Sequence, residues 1–242
     1  MEAVRGPAGE IHAEAADLVS GPGPGLLEHD ASPGTQGGGP LARTIRVVEA
    51  VEPALVLGSS QPDSQVNQQA AASAGLSVVR RRSGGGAVLV GPGESLWVDV
   101  LIPADDPLWT SDVGRGGWWL GLAWARAIAA VTGGEPQAWQ GPMLPTRWSP
   151  MICFAGLGPG EVTVNGLKVV GISQRRTRRG VLFQTAALLR WRPTALLDLF
   201  VLPPGLRAEA EEELGQAAAG LGGGLEAELR DALLAEVRRA GG

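Results

Sequence analysis

Three arginines followed by a serine and three glycines, Arg80-Arg81-Arg82-Ser83-Gly84-Gly85-Gly86, form the first place where this sequence could do chemistry. Glycines lack a Cβ, so a ligand can approach the main chain, whose N–H groups can meet anionic oxygens. Arginines alongside can fork onto a carboxylate or a phosphate. A glycine-rich hairpin loop with surface arginines reads equally well from composition. No Gly-Lys-Ser/Thr follows, so it is not a Walker loop, and it does not match G-x-G-x-x-G. Two solitary residues are the other candidates. Lys168 is the only lysine among 20 lysines and arginines. It is either a chance survivor of drift toward arginine or a place where a compact ammonium cannot be replaced by a planar guanidinium. Cys153 is the only cysteine. It is either a nucleophile, because a thiolate accepts acyl groups readily, or a small buried hydrophobe. Both histidines, His12 and His29, precede the region that carries these motifs. A Cys-His pair or a zinc site of the usual kind is therefore not expected, and no metal site is assigned.

These residues need a scaffold, and the pattern supplies one of alternating strands and helices. Residues 45–48, 54–57, 76–79, 87–90 and 96–102 read as strands, with Asp99 breaking the last apolar run. Residues 64–74 have helical character, with Gly75 placed to cap them. Leu120, Trp124, Ile128 and Val131 recur as one stripe of an amphipathic helix over 117–131, ended by Gly133-Gly134. The aromatic residues Trp118, Trp119 and Trp124 read as packing rather than a cofactor stack. Strands over 161–164 and 168–172 flank Asn165-Gly166, a strong hairpin signal because both residues tolerate positive φ. Residues 194–200 read as helix. Leu225, Leu229, Leu233 and Val237 mark a last helix, with Glu226 and Glu228 in its first turn and Arg238 and Arg239 in its last, as its dipole favours. Gly222 to Gly224 reads as a hinge between two terminal helices.

Residues 1–43 are rich in Gly, Pro and Ala and are expected to form a flexible leader, with a short helix over 10–19. A catalytic domain over 44–204 and C-terminal helices over 205–242 packed on it complete the expected organisation. The fold class is α/β, a single domain with a central mixed β-sheet and flanking helices. A net charge of −5 argues against nucleic acid as the main partner. The arginine run at 80–82 and a second one, Arg175, Arg176, Arg178 and Arg179, are solvated faces or a local positive rim suited to phosphate or to an acidic carrier domain. A lone cysteine points to a reducing compartment, and no apolar run reaches the ~18–20 residues of a membrane span. The sequence reads as cytoplasmic, with no membrane partner.

Arg81-Arg82-Ser83-Gly84-Gly85-Gly86-Ala87-Val88 resembles the R-R-x-S-G-G-G-A-V signature of the lipoate–protein ligase A family. Leu57-Gly58-Ser59-Ser60-Gln61 resembles that family's L-G-x-x-Q segment. Asn165-Gly166-Leu167-Lys168-Val169-Val170-Gly171 resembles its G-x-K-[IV]-x-G element, which places Lys168 on the family's essential lysine. The resemblance implies the catalytic-domain fold of the biotin and lipoate ligases and the attachment of a lipoyl or octanoyl group to a lysine of a partner protein. Lys168 would be catalytic. Arg81, Arg82, Ser83, Gly84, Gly85, Gly86, Ala87, Gly171 and Ser173 would line the acyl or adenylate site, with a structural role open for Ser173. ATP and Mg2+ would serve a ligase, with lipoate or octanoate as acyl substrate. Lipoyl domains of 2-oxoacid dehydrogenases, the glycine cleavage H protein or an acyl carrier protein would be partners. Three departures stand against the ligase pattern. Val90-Gly91 replaces the usual His-Asp, Phe183-Gln184-Thr185-Ala186 replaces the strand carrying His-Gly, and the small accessory domain of many ligases is not expected. Ile152-Cys153-Phe154 resembles the octanoyltransferases of the same superfamily, whose cysteine carries the acyl group as a thioester. The alternatives are thus an ATP-dependent ligase, a transferase working through Cys153, and a non-catalytic module that binds a lipoyl domain or the cofactor.

Overall fold

The computed structural model describes residues 2–7 and 41–241. Its framework is a seven-stranded sheet in the order β1 (Glu2–Gly6), β2 (Thr44–Ala50), β6 (Ser95–Pro103), β10 (Gly180–Leu188), β9 (Leu167–Thr177), β8 (Val162–Val164), β7 (Pro136–Ala138). All pairings are antiparallel except β1 with β2. A second sheet, β4 (Ser77–Arg80), β3 (Ala54–Leu57), β5 (Val88–Val90), lies against one face of it.

Period-two alternation sorts the side chains into layers. On β2, Val47 joins one core and Val48 the other. On β6, Leu96, Val98, Val100 and Ile102 point to the first core and Trp97 to the second. The first core is closed by α2 (Trp118–Thr132) and α5 (Glu226–Ala240), which contribute Leu120, Trp124, Ile128, Leu229, Leu233 and Val237. The second lies between the two sheets, where Ala54, Val56, Val88 and Val90 of the small sheet meet Trp97, Ala186 and Leu188. The outer face of the small sheet, Leu55 and Leu57, is covered by α1 (Gln68–Ser73), α3 (Pro193–Leu197) and α4 (Arg207–Gly215). Buried on both faces, β6 and β10 have no solvent-facing residue, which is why they read as nearly unbroken apolar runs.

The hairpin forms as expected, with Asn165 at φ 52° and Gly166 at φ 79°. Gly133 ends α2 in the left-handed conformation. The expected helix over 64–74 is split into a 3₁₀ turn (Asp63–Gln65) and α1, which Asn67 caps by accepting from the Ala70 N–H. One departure concerns the leader. Residues 2–6 form the edge strand β1, which pairs with β2 over Glu2↔Arg46 to Gly6↔Ala50 and packs Val4 against the inter-sheet core. The helix expected over 10–19 lies outside the described residues. Among the described residues no helix is long and apolar enough to cross a membrane.

Helix α2 bears on the site through one close approach. A Cβ on Gly121 would stand 2.0 Å from the Gly160 carbonyl oxygen, and Gly160 itself sits at φ +86° against the backbone of Gly117. The first turn of α2 is therefore seated directly on the loop before β8. In a free helix, Gly→Ala stabilises by about 1 kcal/mol. Gly121→Ala should instead destabilise by about 2 kcal/mol through overpacking, measured by urea unfolding. A gain in stability would show that the loop does not bear on the helix.

Candidate active site

The glycine loop 81–86 joins β4 to β5 and is held from both sides by close backbone crossings. A Cβ on Gly58 would lie 1.8 Å from the Gly85 carbonyl oxygen, and one on Gly86 would lie 2.5 Å from the Ile152 nitrogen. Glycine is required at both positions by space. At the second crossing the Ala87 N–H donates to Met151 O and the Cys153 N–H donates to Ala87 O, a short parallel bridge. This bridge brings the 3₁₀ turn Cys153–Ala155 onto the glycine loop. Gln61, buried, secures the arrangement from below: its Nε2 donates to Met151 O at 2.9 Å and its Oε1 accepts from the Gly58 N–H.

Arg81 is fully enclosed, and its guanidinium donates to Ser83 Oγ and to the carbonyls of Val56, Gly84 and Gly86. Burial pushes it below its usual value, while the charge of and a hydrogen bond to the Cys153 thiol pull the other way. The loop thus owes its shape to the same cation that faces the thiol. Ser83 Oγ donates to Gln184 Oε1 at 2.7 Å and lies 3.1 Å from Ser173 Oγ. Gln184 Nε2 continues to Asp99 Oδ1, which also accepts from the Trp97 indole at 2.7 Å. Asp99 Oδ2 has no hydrogen-bond partner. Burial raises the Asp99 carboxyl from 3.8 to about 6, with Trp97, Gln184 and the nearby Arg46 charge pulling back.

Lys168 is buried and its three ammonium protons are all engaged. Nζ lies 2.6 Å from Glu161 Oε2 and donates to Cys153 O and Gly156 O, each at 2.8 Å, with the Phe154 ring centroid 4.9 Å away. Glu161 is buried as well, and it accepts from the N–H groups of Gly158 and Ile172. A β-bulge aims the lysine here. Val162 pairs with Val170 but Thr163 pairs with Lys168, so Val169 is the extra residue on β9. Val169 and Val170 both enter the first core. The bulge therefore turns Lys168 to the face that Gly171 and Ser173 occupy.

The structure brings Cys153, Arg81, Gly171 and Ser173 around one small cavity, completed by Val88, Trp97, Phe154, Gln184 and Ala186. Lys168 holds the turn that carries Cys153 from behind. Arg82, Gly84 and Gly85 are exposed at the rim, and the Arg82 carbonyl accepts from Arg175. Three residues escaped the sequence reading: Glu161, Trp97 and Asp99. An acidic residue opening a hairpin strand beside the only lysine was the available signal for Glu161. Trp97 had no local mark, and Asp99 showed only as a polar break in an apolar strand.

Neither carboxylate beneath the loop is free to hold a magnesium ion. Glu161 is committed to Lys168 and two backbone amides, and Asp99 is sealed in the core. No cluster of three or more His, Cys, Asp or Glu exists among the described residues.

Residues 35–212 match the model of the lipoyl protein ligase A/B catalytic domain. Solved structures agree on the fold. A bipartite lipoate protein ligase from Thermoplasma acidophilum, described with its E2 lipoyl domain, superposes at TM-score 0.70 with 16% identity, covering 99% of this chain and 82% of that one. A T. acidophilum protein of lipoate-ligase type with bound lipoic acid gives 0.67 at 15% identity, over 98% and 83%. A lipoate-protein ligase A bound with ATP gives 0.67 at 16%, over 99% and 85%. No curated protein sequence gives a match.

Two outcomes follow from the buried charges. Removing one partner of a buried ion pair strands the other, at a cost of about 3 kcal/mol or more. Lys168→Met and Glu161→Gln should each lose about that much in urea unfolding, and the double variant should lose clearly less than their sum; strict additivity would mean the two charges are uncoupled. Asp99 acts through pH. Its folded carboxyl binds a proton more tightly than the unfolded one, so its contribution to stability falls as pH rises from about 3.8 to about 6 and is flat above, about 3 kcal/mol in all. Asp99→Asn should lack this slope, gaining on the wild type as pH rises through that window in thermal melts. A difference independent of pH would contradict the assignment.

Proposed function

Because the chain belongs to the lipoyl protein ligase A/B catalytic-domain family, we propose that it transfers an octanoyl or lipoyl group to a lysine of a lipoyl domain through a thioester on Cys153. The observation that carries this reading is the setting of Cys153: it lines, together with the enclosed Arg81, the cavity beneath the glycine loop. A thiol so placed can attack an acyl carbonyl, and a neighbouring guanidinium can steady the oxyanion that forms.

In the first step the Cys153 thiolate attacks the carbonyl carbon of an acyl thioester on a carrier protein. The carrier thiol leaves and takes up the proton that Cys153 gave up. In the second, the neutral amine of the acceptor lysine attacks the Cys153 thioester; the amide forms, and the amine's surplus proton returns to the Cys153 sulfur. Each step passes through an oxyanion, and a preorganised cation or N–H group beside it lowers the barrier most. Arg81 is such a cation. Lys168 is a second once it exchanges one of its carbonyl acceptors for the oxyanion. Lipoyl domains of 2-oxoacid dehydrogenases and the glycine cleavage H protein are the acceptors this chemistry fits, with an acyl carrier protein as donor.

A ligase reading through an acyl-adenylate is favoured by one observation, the exposed Gly84-Gly85 rim, which lies in the segment that resembles the ligase family's glycine signature; one of the similar structures is a lipoate-protein ligase A bound with ATP. On that reading ATP and Mg2+ are required and Cys153 is a packing residue. The two separate cleanly. Cys153→Ser should reduce acylation of a lipoyl domain by orders of magnitude, the wild type should work from an acyl carrier thioester without ATP, and intact mass should show an acyl adduct on the wild type alone. Full activity of Cys153→Ser together with strict ATP dependence would overturn the thioester route. Lys168→Arg should abolish transfer on either route.

A further inference from the structure

The cavity beside Cys153 has a volume of about 10 Å³, room for one water and none for an acyl chain. The sheet beneath it explains where a chain could go. The registers Val48↔Trp97, Trp97↔Ala186 and Ala186↔Gly171 set four residues in one row across β2, β6, β10 and β9. Gly171, under Phe154, and Ala186 form a run of small residues that starts at the Cys153 turn. Trp97 ends it. Its indole N–H, bound to Asp99 at 2.7 Å, pins the ring across the row.

Behind Trp97 the two strands part, since β2 pairs with β6 only as far as Val48↔Trp97. A notch of about 410 Å³ opens there, the size of an ordinary ligand pocket. Val48, Val90 and Leu96 line it together with the charged Arg5, Glu49, Glu226 and Arg230, and Ser95 adds a buried hydroxyl without a hydrogen-bond partner among the described residues. Trp97 is common to the walls of both cavities.

We infer that Trp97 is a specificity-determining residue: it ends the row of small residues along which a medium-chain acyl group on Cys153 extends, and the notch behind it is the continuation that longer chains enter when the ring is absent. This inference rests on the acyl-transfer reading. The rival direction runs the other way, past Phe154 to Trp191, whose rings lie 6.1 Å apart beside a cavity of about 20 Å³.

Binding of octanoate and of dodecanoate to the full chain, measured by calorimetry, tests this without turnover. It therefore stays readable even if Cys153 proves not to carry the acyl group. Burial of each added methylene is worth about fourfold in affinity. Trp97→Ala should raise the dodecanoate-to-octanoate affinity ratio at least tenfold over wild type. Trp97→Phe, which keeps a ring, and Trp191→Ala should leave it within about threefold. Circular dichroism checks folding, and Trp97→Leu is read in the same way if the alanine variant unfolds. An unchanged ratio in a folded Trp97→Ala or Trp97→Leu, a shift with Trp191→Ala instead, or no binding of either fatty acid to any variant would overturn the inference.

Discussion

One ammonium group set among oxygens ties this site together. Burying a lysine costs several kcal/mol unless each of its protons finds an acceptor. Lys168 finds Glu161, Cys153 O and Gly156 O, and so it binds the Cys153 turn to the β8–β9 hairpin. Its backbone extends the same tie, since the Lys168 N–H donates to Ala217 O and its carbonyl accepts from the Ala219 N–H. Segments from four parts of the chain thus meet at one residue. A planar guanidinium with five donors cannot match three acceptors set around a point charge. That mismatch accounts for a single lysine in a chain that otherwise uses arginine.

Arg81 solves a related problem on the other side of Cys153. The glycine loop needs a partner for the carbonyls of Gly84 and Gly86, which no strand supplies, and the guanidinium provides it. The same group then stands beside the thiol. Arg82, one residue on, is exposed. Adjacent residues at a strand end face opposite ways, so a pair of arginines divides into an inner clamp and an outer charge.

Much of this was legible in sequence, and the failures have physical causes. The Asn165-Gly166 turn, the α2 stripe and the glycine loop carry their own local signals, because turn geometry, helical period and the absence of a Cβ are properties of short segments. The grouping of Cys153, Lys168 and the loop came from the family resemblance of their motifs. The bulge at Val169 had no such signal. Strict alternation puts Lys168 on the face opposite Gly171 and Ser173, and only the pairing with β8 reveals the extra residue. Asp99 could be read as a polar break in an apolar strand, but its meaning depends on Gln184, a cross-strand partner 85 residues away. Strand β1 was missed for the same reason, as a parallel edge pairing across a long intervening segment leaves no local trace.

The sheet face beneath Cys153 is built as two adjoining rows of opposite character. Gly171, Ala186 and Trp97 form an apolar row, while Ser173, Gln184, Asp99 and Arg46 form a polar one immediately beside it. On the proposed reading, an acyl thioester has the same division, an apolar tail and a polarised carbonyl. The tail gains by displacing water from the apolar row, and the carbonyl gains by staying near hydroxyl and guanidinium donors. A group bound so that both conditions hold has its carbonyl carbon at the boundary of the rows, where the glycine loop delivers Arg81 and the 3₁₀ turn delivers Cys153. On that reading the sheet's register orients the substrate, and the two segments that cross above it supply the chemistry. Because the register is fixed by pairing across four strands, that orientation is as rigid as the core itself.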